Sequence, residues 1–149
     1  MPETKKKSGT RAKARTTQKS PSEIAPGVFV GGRSDALRFA GAKFCVLDEA
    51  PDSMPTATHV PIYDAAADRA VPANLDRLAA SIRQARTKGE AVLVFCGHGV
   101  RRSPLGAAWY LHTTEGISLD AAYDRIRAVR PKVEHARDWI GNHRNLEGG

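Results

Sequence analysis

Apolar residues along this chain fall into short blocks with two different periods. The most compact block is Ala91-Val92-Leu93-Val94-Phe95, an uninterrupted run whose length and flanks predict a central strand of a parallel sheet. Val28-Phe29-Val30, between the turn signal Pro26-Gly27 and the pair Gly31-Gly32, predicts another strand, and Lys43 to Leu47 a third. His59-Val60-Pro61-Ile62 reads as a short extended segment. Helical spacing takes over elsewhere. Leu75, Leu78, Ile82 and Ala85 share one face, with Asn74 as the expected N-cap and Gly89 as the stop. Leu119, Ala122, Ile126 and Val129 share another, capped by Ser118 and stopped by Pro131. Ser34 is expected to cap a short helix through Arg38, and Ser103 a helix that starts at Pro104 and ends near Gly116. A last helix is expected from His135 to Asn145, anchored by Trp139 and Ile140. The polar, aperiodic stretches Pro51 to Thr58 and Asp64 to Ala70 read as loops.

Strands alternating with helices predict an α/β fold, with a central, mostly parallel sheet flanked by helices. The 149 residues suit one compact domain. Charge divides the chain. Residues 1–20 carry seven cations against Glu3 alone, a net of +6, and have no Leu, Ile, Val or aromatic residue. Such a stretch cannot bury apolar surface and is expected to be a disordered basic tail. The expected organisation is a tail over residues 1–22 and a folded domain over residues 23–149. The remainder after residue 20 holds sixteen cations and fifteen acids, close to neutral. The tail suits solubility, or weak, salt-sensitive contact with a polyanion such as nucleic acid or anionic lipid. No apolar run is long enough to span a membrane, and no apolar core follows the basic start as a secretory signal requires. Two cysteines make no disulfide framework, so a reducing cytoplasm is the expected compartment.

The most informative stretch is Phe95-Cys96-Gly97-His98-Gly99-Val100-Arg101-Arg102-Ser103-Pro104. A buried strand delivers a cysteine to its C-terminal end, where ligands bind in open α/β sheets. A short loop then enters a helix N-terminus, which favours anions. Gly97 and Gly99 allow successive N–H groups of Gly97, His98, Gly99, Val100 and Arg101 to converge into a nest. Arg102 offers a planar fork for two phosphate oxygens. Cys96 in that positive surrounding is expected to act as a thiolate nucleophile on a phosphate monoester. Composition alone would place this Cys-x-x-Gly-x-x-Arg-Ser spacing after one of two cysteines with a chance on the order of one in a thousand.

This segment resembles the phosphate-binding loop of cysteine-dependent protein phosphatases, in particular the dual-specificity group. The resemblance implies that Cys96 attacks phosphorus to form a phosphocysteine. It implies that Arg102 binds the phosphoryl oxygens and that the Ser103 hydroxyl assists breakdown of the intermediate. Ala25 to Gly32 is similar to the family's opening Pro-Gly-strand-Gly segment, and His59 to Asp64 to its apolar-Pro-x-x-Asp segment. Arg127 to Pro131 resembles its basic helix end. Asp64, 32 residues before Cys96, is then the general acid, with Asp68 the runner-up on the same loop. Substrates are a phosphorylated protein or another phosphate monoester, and no cofactor or metal is expected.

The family usually has His directly before the nucleophile; here it is Phe95, so the chain departs from the family at a position that helps organise the loop. Cys45 reads as a small buried side chain rather than a redox partner of Cys96. His98 and Arg101 read as residues at the pocket rim, and Trp109, Tyr110, Leu111 and Trp139 as core. The competing functions are a phosphoinositide or RNA 5′-phosphatase, a non-catalytic phosphate-binding module and a rhodanese-like sulfurtransferase. The five residues between Cys96 and Arg102 and the Asp64 segment fit the last less well.

Overall fold

The protein is described by a computed structural model covering residues 20–48, 56–64, 69–136 and 140. Its elements run β1 (Ser22–Ala25), β2 (Val28–Gly32), α1 (Arg33–Ala36), β3 (Ala42–Cys45), β4 (Thr58–His59), β5 (Tyr63–Asp64), β6 (Arg69–Ala70), α2 (Pro72–Thr87), β7 (Val92–Cys96), α3 (Arg102–Glu115) and α4 (Leu119–Val129). A five-stranded sheet has the order β1-β2-β7-β3-β4. β7 pairs in parallel with both β2 and β3, and β3 with β4, whereas β1 is an antiparallel edge. This is the mostly parallel, helix-flanked α/β sheet that the sequence predicts.

The continuous apolar run of β7 follows from its position: all five of its residues are buried. Alternation sends Val92, Val94 and Cys96 to one face and Leu93 and Phe95 to the other. The first face meets Leu75, Leu78 and Ile82 of α2, Leu105 and Trp109 of α3, and Tyr123 and Ile126 of α4. Each such large side chain removed from water contributes about 1.5–3 kcal/mol. The second face is smaller, with Cys45 and Ala36 of α1 packed on Leu93 and Phe95. Trp109, Tyr110 and Leu111 are core residues, as expected. Among the described residues no helix is long and apolar enough to cross a membrane.

Several local expectations need correction. Three of the four expected N-caps do not cap. Gly32, not Ser34, precedes α1, and the Asp35 carboxylate reaches back to accept the Gly32 N–H at 2.9 Å. Val71 precedes α2, because Pro72 fits the first helical position and Asn74 falls inside. Arg101 precedes α3, so Ser103 also lies inside, and its hydroxyl is directed elsewhere. Ser118 does cap α4, accepting the Ala121 N–H at 3.0 Å. The stretch from Asp64 to Ala70 is not all loop, since its ends form a small antiparallel ladder, Tyr63 with Ala70 and Asp64 with Arg69. His135 and Ala136 are not helical. Of the expected last helix beyond them only Ile140, which is buried, lies within the described residues, and Trp139 lies outside them. Asp68 also lies outside.

Candidate active site

Strand β7 ends at Cys96, paired in register with Gly32, so two glycines of β2 flank the nucleophile from the neighbouring strand. A Cβ on Gly32 would lie 2.8 Å from the Gly97 carbonyl oxygen, so the loop's close approach to β2 requires the missing side chain. The loop from Gly97 to Arg101 then turns back over the sheet edge into α3. Gly99 has φ +72°, and any side chain there would run into the Gly31 backbone, at 2.7 Å.

The loop carbonyls are held from outside, one after another. Gly97 O accepts from the Arg33 N–H at 3.0 Å and Val100 O from the Glu134 N–H at 2.8 Å. His98 O accepts from Arg130 Nη2 at 3.3 Å and Gly99 O from Arg130 Nε at 2.8 Å. A trans peptide points its C=O and N–H in opposite directions. Four bound carbonyls therefore turn the N–H groups of His98, Gly99, Val100 and Arg101 away from those partners, as an anion nest requires. The Gly99 N–H lies 3.3 Å from Cys96 Sγ, on that inner side.

Cys96 Sγ has two further contacts. The Ser103 N–H donates to it at 3.4 Å, and Ser103 Oγ lies 3.2 Å away. The same hydroxyl donates to Gly31 O at 3.1 Å. A thiol at Cys96 can donate its proton to Ser103 Oγ while the hydroxyl stays on Gly31. A thiolate can instead accept the hydroxyl proton together with two backbone N–H groups. Phe95, at the position where the family has His, is fully buried against Cys45, Leu93 and Ala36. It packs the opposite face of the sheet and contributes no donor to the thiol.

A cleft of about 510 Å³ opens over this loop. Its walls are Leu47, Cys96, Gly97, His98, Val100, Arg101 and Arg102. His98 and Arg101 are exposed at its edge, and Arg101 Nε lies 3.4 Å from Glu134. Arg102 is the first residue of α3. Its Nη1 is 3.3 Å from Asp48 Oδ1, and its guanidinium carbon is 5.3 Å from the centre of the Tyr63 ring. The resting fork is thus held between a carboxylate and an aromatic face. Asp64 follows Tyr63 in β5, and successive side chains of a strand point to opposite faces. Asp64 itself is half-buried and is not among the residues that wall the cleft.

The two thiols are unlike. Cys45 is fully buried, and burial pushes its thiol above the ordinary cysteine range, against a backbone hydrogen bond near Leu47 and the charge of Arg33. Cys45 pairs in register with Phe95, so its side chain is on the face opposite Cys96. Both cysteines are free.

The chain matches the sequence profile of the dual specificity phosphatase catalytic domain over residues 45–144. It belongs to the dual-specificity phosphatase family. It is 30% identical over 132 residues to dual specificity protein phosphatase 12 of Rattus norvegicus, covering 78% of this chain but 39% of that protein. The chain thus spans about two fifths of that relative's length. It is 31% identical over 121 residues to dual specificity phosphatase 28 of Homo sapiens, covering 74% of this chain and 68% of that one. A crystal structure of a human DUSP28 variant superposes with a TM-score of 0.64 at 27% identity, over 80% of this chain and 88% of that one.

Among the residues of this dual-specificity phosphatase fold, sequence reading missed Arg130, Glu134, Arg33 and Asp48. Arg130 is fully buried. Burial lowers its guanidinium below the usual arginine range, while the charges of Asp35 and Cys96 pull it back up. Its sequence signals are its place in the segment from Arg127 to Pro131 that resembles the family's basic helix end, and Pro131 itself, which turns the preceding residue out of the helix. Arg130 accordingly has φ −143° and ψ 78°. Nothing in the sequence says that a basic residue at a helix end turns inward.

Proposed function

We propose that this chain is a metal-independent phosphatase that hydrolyses phosphate monoesters on phosphorylated proteins, at phosphotyrosine and/or phosphoserine and phosphothreonine. The observation that carries the reading is the convergence of donors on Cys96 Sγ inside a loop in which four successive carbonyls, from Gly97 to Val100, are held from outside. Cys96 attacks phosphorus in line, forming the S–P bond as the bond to the leaving oxygen breaks. Asp64 delivers its carboxyl proton to that oxygen. Arg102 and the loop N–H groups hold the equatorial oxygens, where charge accumulates. Water then attacks phosphorus and gives a proton to the Asp64 carboxylate. The Ser103 hydroxyl supports the departing sulfur. A reducing cytoplasm and a basic tail ahead of the catalytic unit belong to the same reading, with the expected boundary after residue 22 moved back, because Ser22 opens β1 and Arg130 Nη1 donates to the Ser20 carbonyl.

The test of this reading is hydrolysis of a panel of aryl and alkyl phosphates by the wild-type chain and by Asp64→Asn. The expected loss in kcat is roughly 10²–10⁴-fold for alkyl leaving groups, the range for a positioned general acid. It shrinks for p-nitrophenyl phosphate, whose leaving group needs no proton. An equal loss across the panel would remove Asp64 from the role, and a silent wild type that binds phosphopeptide would favour a binding module. For the tail, removal of residues 1–19 is expected to leave p-nitrophenyl phosphate turnover unchanged. It should weaken retention on immobilised polyanion at low salt, with the difference lost at high salt. The cut falls before Ser20 because Arg130 Nη1 donates to the Ser20 carbonyl at 2.8 Å.

A further inference from the structure

Arg130 joins two parts of the molecule that are far apart in sequence. Toward the loop, its Nε and Nη2 hold the carbonyls of Gly99 and His98. Toward the chain start, its Nη1 donates to Ser20 O at 2.8 Å and to Ser22 Oγ at 3.0 Å. Ser22 opens β1, and its side chain is buried. A guanidinium is planar and its donors are fixed in relative direction, so one group that meets all these acceptors sets their mutual positions. Two adjacent loop peptides are oriented this way, and one of them carries the N–H that meets Cys96 Sγ.

We propose that Arg130 is the positioning residue of the anion nest, and that Ser20 and Ser22 anchor it so that the start of β1 is part of the catalytic scaffold. The proposal rests on the phosphatase reading for its substrate but not for its geometry. Removing the guanidinium frees the His98 and Gly99 peptides to rotate, so that two N–H groups cease to point at the bound oxyanion. A lysine in its place supplies a charge and three donors but no planar fork, and its shorter reach cannot meet the loop carbonyls and the Ser20 and Ser22 acceptors together.

The experiment compares wild type, Arg130→Met, Arg130→Lys and Ser22→Ala by calorimetric binding of inorganic phosphate and by steady-state turnover of p-nitrophenyl phosphate. Ser118→Ala serves as the stability control, because its cap hydrogen bond is on an exposed helix start. Arg130→Met is expected to weaken phosphate binding about tenfold, the worth of one well-aimed charged hydrogen bond. Its kcat should fall roughly 100-fold, the scale of a 1 Å misplacement. Arg130→Lys should recover part of both, and Ser22→Ala should show a smaller loss of the same kind. Ser118→Ala should lower the melting temperature with phosphate affinity unchanged, which separates positioning from stability. Folded Arg130→Met protein that binds phosphate within twofold of wild type overturns the proposal. Should Arg130→Met not fold, unchanged affinity in both Arg130→Lys and Ser22→Ala overturns it, and a loss in either folded variant supports it. A wild type that binds phosphate without turnover ends the phosphatase reading and leaves the Arg130 comparison standing, whereas one that binds no phosphate ends both.

Discussion

Cys96→Ser is expected to lower kcat/KM for p-nitrophenyl phosphate by roughly 10⁴–10⁶, the scale on which removal of an enzyme nucleophile is felt. The substitution replaces one atom and leaves the backbone of β7 in place. The Gly99 and Ser103 N–H groups, 3.3 and 3.4 Å from Sγ, still find an oxygen to donate to. The fold and the phosphate nest should therefore survive, and the variant should bind inorganic phosphate while failing to turn over. The serine hydroxyl fails because it stays protonated where a thiol can ionise. Chemical modification gives the complementary result. Iodoacetate should add to one thiol, Cys96, with phosphate protecting it. Cys45 should be spared, since it is fully buried and its thiol is pushed up by that burial. Turnover that persists in Cys96→Ser, or alkylation that falls first on Cys45, would remove Cys96 from the nucleophile's role.

The sequence made some layers of this molecule legible and hid others, for physical reasons. β7 and the helix faces could be read because burial on two sides or one leaves a direct apolar pattern. The nucleophile loop could be read because its chemistry is local: one strand end, two glycines and two arginines within eight residues. The small ladder joining Tyr63–Asp64 to Arg69–Ala70 could not be read, because two-residue strands leave no period. The N-caps at Ser34, Asn74 and Ser103 misled for a related reason. A short hydroxyl or amide favours a helix start, but Asp35 reaching back to Gly32 and Pro72 at the first position of α2 decide the start first. Ser103 is drawn instead to Cys96 and Gly31. The supporting shell stayed hidden because it is non-local. Arg33 reaches the loop from the start of α1, and Arg130 and Glu134 from the stretch that follows α4, and pairing at such range has no signature in one sequence.

This shell also changes what the net charge of +7 means. Most of that excess is on the first twenty residues, so the fold is not drawn to anions by its overall field. Recognition rests on peptide dipoles locked by outside partners and on two arginines with different tasks. Arg130 is buried and fixed. Arg102 is at the cleft, partly exposed, and paired at rest with Asp48 and Tyr63.

That difference sets the expectation for Arg102→Lys, which should lower kcat by on the order of 10³-fold, the lower end for an arginine that stabilises a phosphoryl-transfer transition state. Lysine keeps the positive charge, so a purely Coulombic role would survive the change. A bidentate role would not, because an ammonium cannot place two parallel donors on two equatorial oxygens. The loss should appear mainly in kcat, with a smaller rise in KM, since equatorial charge grows toward the transition state. Asp48→Asn supplies the contrast. In the Arg102–Asp48 pair the carboxylate is exposed and the guanidinium partly so, and such pairs at the surface contribute only about 0–1 kcal/mol. Asp48→Asn should therefore change kcat by no more than a few fold, and a gain is as consistent as a loss, because the carboxylate competes with substrate for the same fork. Comparable losses in Arg102→Lys and Asp48→Asn would mean that Arg102 acts by holding the Asp48 segment in place. A hundredfold or greater gap between the two variants, measured on the same phosphate ester, is the result expected of an arginine that touches the transferring group.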